Sequence, residues 1–442
     1  MENISPFFVK NKLKDILTEM SSDLTPFVKN PTSDFTRERK LGFAKMMNLF
    51  ISKGSGTLKH ELLEFMDYHP NLLPTPAAFY QQRSKLDISA FKHVLKEFNN
   101  EFPLTTFRDK YYLLACDGTG FNIARNPDDP STFTPSNGTS QKGFNMIHAT
   151  ALYDIFSKRF LDMEVQPGRE KDEYRALCNI IDRYSYGGEP IIIADRGFAS
   201  HNTFAHAIEN DIKFIIRAQD NNTRRYLKIK GDLPNTIDTN VETILARTTA
   251  KKLMRQPHRA KDYRYVYPNV PFDYIDSNDG TDEYTLSIRI LRFQIGENSF
   301  ENIITNLPPE EFSLEDIKEC YYLRWGIETS FRELKHELGA INFHSKQYEY
   351  INMELWSCLI AYNFCSVIIV NTPVQTCNRR HDYQVDYATA FKICIKFLRN
   401  IAMESKIVTK LILAHILPIR KNRNYERRKC FHPPASFTYR GI

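Results

Sequence analysis

The sequence predicts an α/β protein in which a central β-sheet is flanked by helical segments. Two short apolar runs, 111–116 and 191–194, each lead directly into an aspartate, as strands buried on both faces of a sheet do. Apolar residues recur at helical spacing in residues 1–105 and again beyond Gly339. These two patterns place a sheet in the middle of the chain and helices before and after it.

Residues 1–105 are predicted to form a helical domain that binds nucleic acid. Apolar spacing indicates helices over 41–51 and 91–98, and Thr75-Pro76 is typical of the start of a short helix between them. The Gln, Arg and Lys side chains of this short helix suit insertion into a major groove. A plain surface helix fits the same pattern equally well.

The first aspartate, Asp117, follows a predicted strand, and further segments extend the same sheet. Residues 144–153 and 158–165 are typical of a hairpin, and 213–217 of another strand. The polar stretch 120–143 predicts a long loop beside Asp117.

A mainly β subdomain is predicted over residues 219–300. Asp195, which follows the second apolar run, is separated from Glu328, a residue of the next predicted helix, by far more residues than one strand and one helix need. Within this interval, apolar and polar residues alternate over 284–292 as they do in strands. From Arg217 to Arg264 the chain carries twelve Lys or Arg against five Asp or Glu, interleaved with tyrosines. This favours contact with nucleic acid, although a solvated charged face is the alternative.

A long helix is predicted from Ser313 to Leu338. Ser313 and Asp316 form a capping-box pattern, and Gly339 stands where a left-handed stop is wanted. Four side chains of this helix fall within a stripe of about 60° on one face. They are Tyr321, Arg324, Glu328 and Lys335. The simpler alternative is the solvated face of an amphipathic helix.

Asp117, Asp195 and Glu328 are the candidate catalytic residues. Carboxylates brought together in a fold repel one another, and a divalent cation with oxygen ligands is the usual remedy. Two Mg²⁺ ions about 3.5 to 4 Å apart assist in-line phosphoryl displacement. The pattern therefore predicts transfer chemistry on a polynucleotide.

The spacing Tyr-x2-Arg-x3-Glu-x6-Lys, met here by Tyr321 to Lys335, resembles the signature of DDE transposases of the insertion-sequence-4 type. Asp117 in DGTG and Asp195 in ADRGF extend the resemblance. The resemblance implies a ribonuclease-H-like mixed five-stranded sheet with helices on both faces, interrupted by a mainly β insertion. The implied division is a DNA-binding domain 1–105, a catalytic core 106–218 and 301–345, an insertion 219–300, and a helical C-terminal region 346–442 with a basic tail.

The resemblance also implies roles for individual residues. Asp117, Asp195 and Glu328 would hold two Mg²⁺ ions, for which Mn²⁺ can substitute. The implied DNA contacts are Tyr321, Arg324, Lys335, Arg217 and Arg196. For the last two arginines a structural ion pair is the alternative, and Asp195 is the expected partner of Arg196.

The implied activity is cut-and-paste transposition. The expected partners are the terminal inverted repeats of the protein's own element, target DNA, and a second copy of the chain in a synaptic homodimer. A transposase-derived DNA-binding protein without cleavage, and a DNA nuclease without strand transfer, are the alternatives. Such families stack an aromatic side chain on a flipped base, but no tryptophan lies between Asp195 and Tyr321. Phe293, Phe300 or a tyrosine would have to serve.

The resemblance implies a protein of the prokaryotic cytoplasm, bound to the nucleoid when on DNA, and the composition is that of a soluble globular protein. The net charge is +6 and the apolar fraction is 42%. The eight cysteines include no C-x-x-C pair, which predicts reduced thiols rather than a zinc site. The N-terminus has no signal-peptide pattern, and the apolar stretch 351–370 is predicted to be a core helix rather than a membrane span.

Overall fold

The structure, a computed structural model, describes residues 4–37, 39–136, 142–247, 263–276, 282–297, 299–374, 382–399 and 403–419. The basic tail predicted beyond residue 419 lies outside this range. Helices form the N-terminal part of the chain: α1 Pro6–Met20, α2 Phe43–Ser52, α3 Leu58–Phe65, α4 Pro76–Arg83 and α5 Ile88–Asn100.

Ten strands of the described residues form one mixed sheet, which confirms the α/β class. They are β1 Tyr111–Ile123, β2 Phe133–Thr134, β3 Phe144–Asp154, β4 Arg159–Pro167, β5 Glu189–Ala194, β6 Lys213–Ala218, β7 Ile237–Ala246, β8 Tyr263–Tyr265, β9 Glu283–Gly296 and β10 Ser299–Thr305. Their order is β2-β3-β1-β5-β6-β10-β9-β7-β8, and β4 pairs with β3. Strands β1, β5 and β6 are parallel, whereas β3 is antiparallel to β1 and β10 to β6.

The sheet is larger than the five strands expected from the sequence. Strand β10 pairs along β6, and β9 and β7 continue from it. The strands of the predicted insertion therefore extend the central sheet. The pairing satisfies the backbone groups that an exposed edge of β6 would otherwise leave open.

Helices cover both faces of this sheet. The remaining ones are α6 Glu173–Asp182, α7 His201–Glu209, α8 Asp220–Leu227, α9 Leu314–Leu323, α10 Trp325–His336, α11 Tyr348–Val370, α12 Tyr387–Arg399 and α13 Ser405–Ala414. A short 3-10 turn spans Arg196–Phe198, and a small ribbon pairs β11 Tyr383–Val385 with β12 Ile416–Pro418.

The N-terminal and C-terminal helices share one apolar core. Residues of α1, α2 and α5 pack in the same buried cluster as residues of α11, α12 and α13. Helix α11 is long and apolar enough to cross a membrane by length and composition, yet 89% of its most apolar window is buried in the protein. Its prediction as a core helix is confirmed.

Two local predictions need correction. The predicted helix 313–338 is divided at Arg324 into α9 and α10, although the Ser313–Asp316 capping box forms and Gly339 has φ +72°. Helix α4 begins at Thr75-Pro76 as predicted, but its Arg83 is buried and stacks 4.0 Å from the Tyr350 ring. An exposed recognition helix is therefore the wrong interpretation for Arg83.

The six cysteines in the described part of the chain are all buried, and none forms a disulfide. Five of them belong to the apolar core clusters, whereas the Cys178 sulfur accepts from Asn202 Nδ2 at 3.8 Å. Burial raises the pKa of the Cys116 thiol well above its usual value.

Candidate active site

Three neighbouring parallel strands carry charged residues at the point where their parallel pairing stops. In the pairing of β1, β5 and β6, the last paired residues are followed, nearly level with one another, by Asp117, Asp195 and Arg217, although β1 itself continues to Ile123 along β3. Side chains alternate along a strand, so these three share the face on which Leu113 and Ile193 pack with α9. The sequence brings them together through strand register alone.

Asp117 is the most buried carboxylate of the predicted triad. Burial raises its pKa to about 6, and the charges of Glu328 and Asp195 act in the same direction. The Gly118 N–H, which donates to Asp117 Oδ1 at 2.8 Å, and the Arg324 guanidinium oppose this rise. Asp117 therefore feels the charges of both other carboxylates.

Arg324 connects two of these carboxylates. Its Nη1 lies 3.5 Å from Asp117 Oδ2, and its Nη2 lies 3.1 Å from Glu328 Oε1. The arginine side chain is 4% exposed, whereas that of Glu328 is 38% exposed. Burial disfavours the charge of Arg324, but its anionic neighbours raise its pKa above the usual value. The guanidinium thus neutralises the Asp117–Glu328 side of the site.

Asp195 faces a different set of side chains. The Tyr321 hydroxyl donates to Asp195 Oδ1 at 3.4 Å, and Arg217 Nη1 lies 3.9 Å from the same oxygen. Arg217 also lies 3.6 Å from Glu301, a carboxylate on β10 that the sequence did not suggest. Burial raises the pKa of Tyr321 to about 12, so this phenol stays protonated at neutral pH.

Lys335 lies against β1 rather than in open solvent. Its ammonium donates to Thr119 Oγ1 at 2.6 Å and to the Gly120 carbonyl at 2.8 Å, and it lies 4.8 Å from the Phe121 ring centre. Burial lowers the pKa of Lys335. Thr119 is two residues beyond Asp117 and therefore on the same face of the strand. Lys335 and Thr119 thus connect α10 to the strand that carries Asp117.

Replacing Thr119 by valine is expected to lower the free energy of unfolding by about 1 kcal/mol, because the buried ammonium loses a hydrogen-bond acceptor. Urea unfolding measures this change. The matched control, Thr119→Ser, keeps the hydroxyl and should stay close to wild type. Equal stability of the valine and serine variants would show that the Lys335–Thr119 contact contributes nothing.

The remaining predicted contact, Arg196, is exposed on the 3-10 turn. It makes no ion pair with any described residue, so the expected pairing with Asp195 is not formed. No three His, Cys, Asp or Glu side chains among the described residues stand close enough together to ligate one metal ion as they are placed. Asp117 and Glu328 are engaged with Arg324 instead.

The structure bears on the aromatic side chains expected to stack on a base. Phe293 is 4% exposed, and one tyrosine of the same region, Tyr226, is 5% exposed beneath the Arg264 guanidinium, so neither offers a free face for a base. Phe300 lies beneath Arg292, 4.5 Å from the guanidinium carbon to the ring centre. Trp325 is 41% exposed, and its ring centre lies 5.0 Å from the Arg324 guanidinium carbon.

Comparison with known proteins gives a family match and several curated relatives. Residues 108–364 match the family described as the transposase DDE domain. The transposase of insertion sequence element IS421 from Escherichia coli is 24% identical over 251 residues, covering 50% of this chain and 65% of that protein. The transposase of IS231C from Bacillus thuringiensis subsp. berliner is 21% identical over 309 residues, 63% of each chain.

The chain therefore spans slightly less than two thirds of these relatives' length. Among solved structures, a piggyBac transposase synaptic complex with hairpin DNA is similar, with a TM-score of 0.44 and 10% identity. That similarity covers 96% of this chain and 88% of the other. Since the family match covers more than half of the 442 residues and includes Asp117, Asp195 and Glu328, the chain belongs to the transposase DDE domain family.

Proposed function

We propose that this protein is a DNA transposase that cleaves DNA at the ends of its own element and joins those ends to target DNA. The observation that supports the proposal is that Arg324 lies 3.5 Å from Asp117 and 3.1 Å from Glu328, and that the charges of Glu328 and Asp195 both raise the pKa of Asp117. Three mutually repelling carboxylates cost stability, and a protein that only binds DNA has no chemical need for them.

Divalent ions are the second part of the proposal. The donor set fits them, because carboxylate oxygens are the ligands that Mg²⁺ and Mn²⁺ prefer, and a cation would relieve the repulsion that helps raise the pKa of Asp117. Asp117, Asp195 and Glu328 would hold two ions, of which Mg²⁺ is the expected one. When bound, the ions would activate a hydroxyl nucleophile and stabilise the leaving oxygen.

The cationic side chains around the carboxylates suit a phosphodiester. The planar guanidinium of Arg324 can contact two phosphate oxygens at once. Arg217 lies on β6, level with Asp195 at the end of the neighbouring β5. Arg196 is exposed on the turn after Asp195 and is available to a DNA backbone. Tyr321 would add a hydroxyl donor. We propose these residues, with Lys335, as the contacts to the cleaved end.

The fold supports a ribonuclease-H-like core. Strands β4-β3-β1-β5-β6 lie side by side in that order, the first three antiparallel and the last three parallel.

We further propose that the helical segments 1–105 and 346–442 and the insertion 219–300 hold the DNA ends of the element, within a synaptic homodimer. The protein would act in the cytoplasm of a prokaryote, on the nucleoid.

Cleavage of a labelled duplex that carries the sequences flanking the gene tests the proposal. Wild-type protein is expected to cut this duplex at the element boundary with Mg²⁺ or Mn²⁺, and to stop when EDTA removes the ions, since the site relies on them for its nucleophile. The control is a duplex of the same length with the flanking sequence scrambled. Addition of a target duplex should give joined products.

The possible outcomes separate three activities. Joined products support a transposase, while cutting without joining in the presence of target indicates a nuclease. Specific binding of the flanking duplex without any cutting would replace the enzyme with a DNA-binding protein. Cutting that persists in EDTA would contradict the metal-dependent site.

A further inference from the structure

His148 and Glu173 lie behind the candidate site, on the opposite face of the sheet. His148 is on β3, and Glu173 is the first residue of α6. His148 Nε2 lies 2.9 Å from Glu173 Oε1, with side chains 7% and 27% exposed. The contact with His148 lowers the pKa of Glu173, and this buried nitrogen has no other partner among the described residues.

Both side chains pack directly on Gly118. A Cβ atom at Gly118 would lie 2.5 Å from His148 Nε2 and even closer to Glu173 Oε1. Glu173 Oε2 also lies 3.9 Å from where a Cβ of Gly197 would be, two residues beyond Asp195. The first glycine of DGTG therefore makes room for this pair, and Glu173 reaches the backbone beside both aspartates.

Gly118 links the His148–Glu173 pair to Asp117 through its backbone N–H. Its N–H donates to Asp117 Oδ1 at 2.8 Å and is one of the groups that favour the ionised carboxylate. A shift of Gly118 would move that donor and the carboxylate together. Mutation of residues that orient a metal ligand without binding the metal typically lowers metal affinity about 10- to 100-fold.

We propose that His148 and Glu173 are a positioning pair for divalent-cation binding. They pack on Gly118 from the opposite face of the sheet and so fix the position of the Gly118 N–H that orients Asp117. Glu173 also packs near Gly197 and so limits the movement of the turn that follows Asp195. This role rests on the proposed metal-dependent function. Neither residue touches the reacting atoms.

Titration of the DNA-free protein with Mn²⁺, followed by electron paramagnetic resonance, tests the pair without relying on catalysis. Glu173→Gln and His148→Gln are each expected to bind Mn²⁺ about 10-fold more weakly than wild type. Asp117→Asn should abolish the tightest binding. Circular dichroism confirms that each variant is folded, and either glutamine variant alone suffices if the other does not fold.

The matched control is His206→Gln. His206 is a second buried histidine paired with carboxylates, 2.7 Å from Asp182 and 2.9 Å from Asp273, and it contacts neither glycine. It should lose stability and keep wild-type Mn²⁺ affinity.

The results separate this proposal from the proposed function. If wild type binds Mn²⁺, Asp117→Asn does not, and both glutamine variants bind as tightly as wild type, the positioning role is wrong and the metal site stands. If His206→Gln weakens binding as much as they do, the effect is general destabilisation and the positioning role also fails. If wild type itself binds no Mn²⁺, the metal site fails and the positioning role falls with it.

Discussion

Replacing Asp117 by asparagine is expected to reduce DNA cleavage about 10³-fold or more and to stabilise the metal-free protein at pH 7.5. The first effect follows from loss of a charged ligand at the reacting centre. The second follows from the pKa of Asp117, about 6 against an ordinary 3.8, because the folded protein disfavours the ionised carboxylate. At about 1.4 kcal/mol per pKa unit, the gain should be about 3 kcal/mol.

The sign of this effect depends on pH. Below about pH 3 Asp117 is protonated in both the folded and the unfolded chain, so its ionisation costs the fold nothing. As the pH rises from about 3 to 6, the unfolded chain ionises first and the fold loses stability relative to it. Urea unfolding should therefore show the asparagine variant more stable than wild type at pH 7.5, with the difference shrinking towards zero at about pH 3.

Two variants control for this result. Glu319→Gln removes an exposed carboxylate from α9 and should leave both cleavage and stability unchanged. Asp154→Asn changes a second buried carboxyl whose pKa burial raises to about 6, but one that accepts hydrogen bonds from Ser157 and pairs in the sheet with Leu114 rather than Asp117. It should leave Mn²⁺ binding intact. A destabilised Asp117→Asn variant at pH 7.5 would contradict the repulsion argument.

The position of Asp117 and Asp195 could be predicted from the sequence because strand chemistry is local. A continuous apolar run that ends in aspartate defines both the strand and the face of the side chain that follows. The capping box at Ser313 and the left-handed Gly339 are equally local signals, and both appear in the structure.

Contacts between distant elements could not be predicted in this way. Nothing near Arg83 in the sequence reveals that Tyr350 covers it, and nothing near β6 reveals that β10 pairs with it. Thr119 had a usable signal, since it lies two residues beyond Asp117 on the same face of a strand. His148 had none, because its relation to Gly118 depends on the register between β1 and β3.

Arg324 shows how one motif residue can have two partners. The sequence assigns it to DNA phosphate through its spacing from Glu328, whereas in the structure it neutralises Asp117 and Glu328. A guanidinium in that position opposes the binding of a second positive charge to the same carboxylates. Phosphate contact and carboxylate contact are therefore alternatives for this side chain.

Replacing Arg324 by glutamine is expected to raise Mn²⁺ affinity about 10-fold and yet reduce cleavage at least about 100-fold. The first change follows because the carboxylates lose a competing cation, and the second because the proposed phosphate contact is lost. Without Mn²⁺ the variant should be about 2 kcal/mol less stable, since Asp117 and Glu328 are left uncompensated. Paramagnetic titration, cleavage assays and urea unfolding measure the three quantities.

Two control variants show whether the Arg324 guanidinium competes with Mn²⁺ for the carboxylates or holds those carboxylates in place for the metal. Arg324→Lys keeps the charge but loses the two-point contact, so it should bind Mn²⁺ as wild type does and still cleave poorly. Arg332→Gln removes an exposed positive charge from the same helix and should change neither property. Weaker Mn²⁺ binding by Arg324→Gln would mean that the guanidinium holds the carboxylates in place for the metal. The ion pairs with Asp117 and Glu328 would then be part of the working site rather than a state that metal binding replaces.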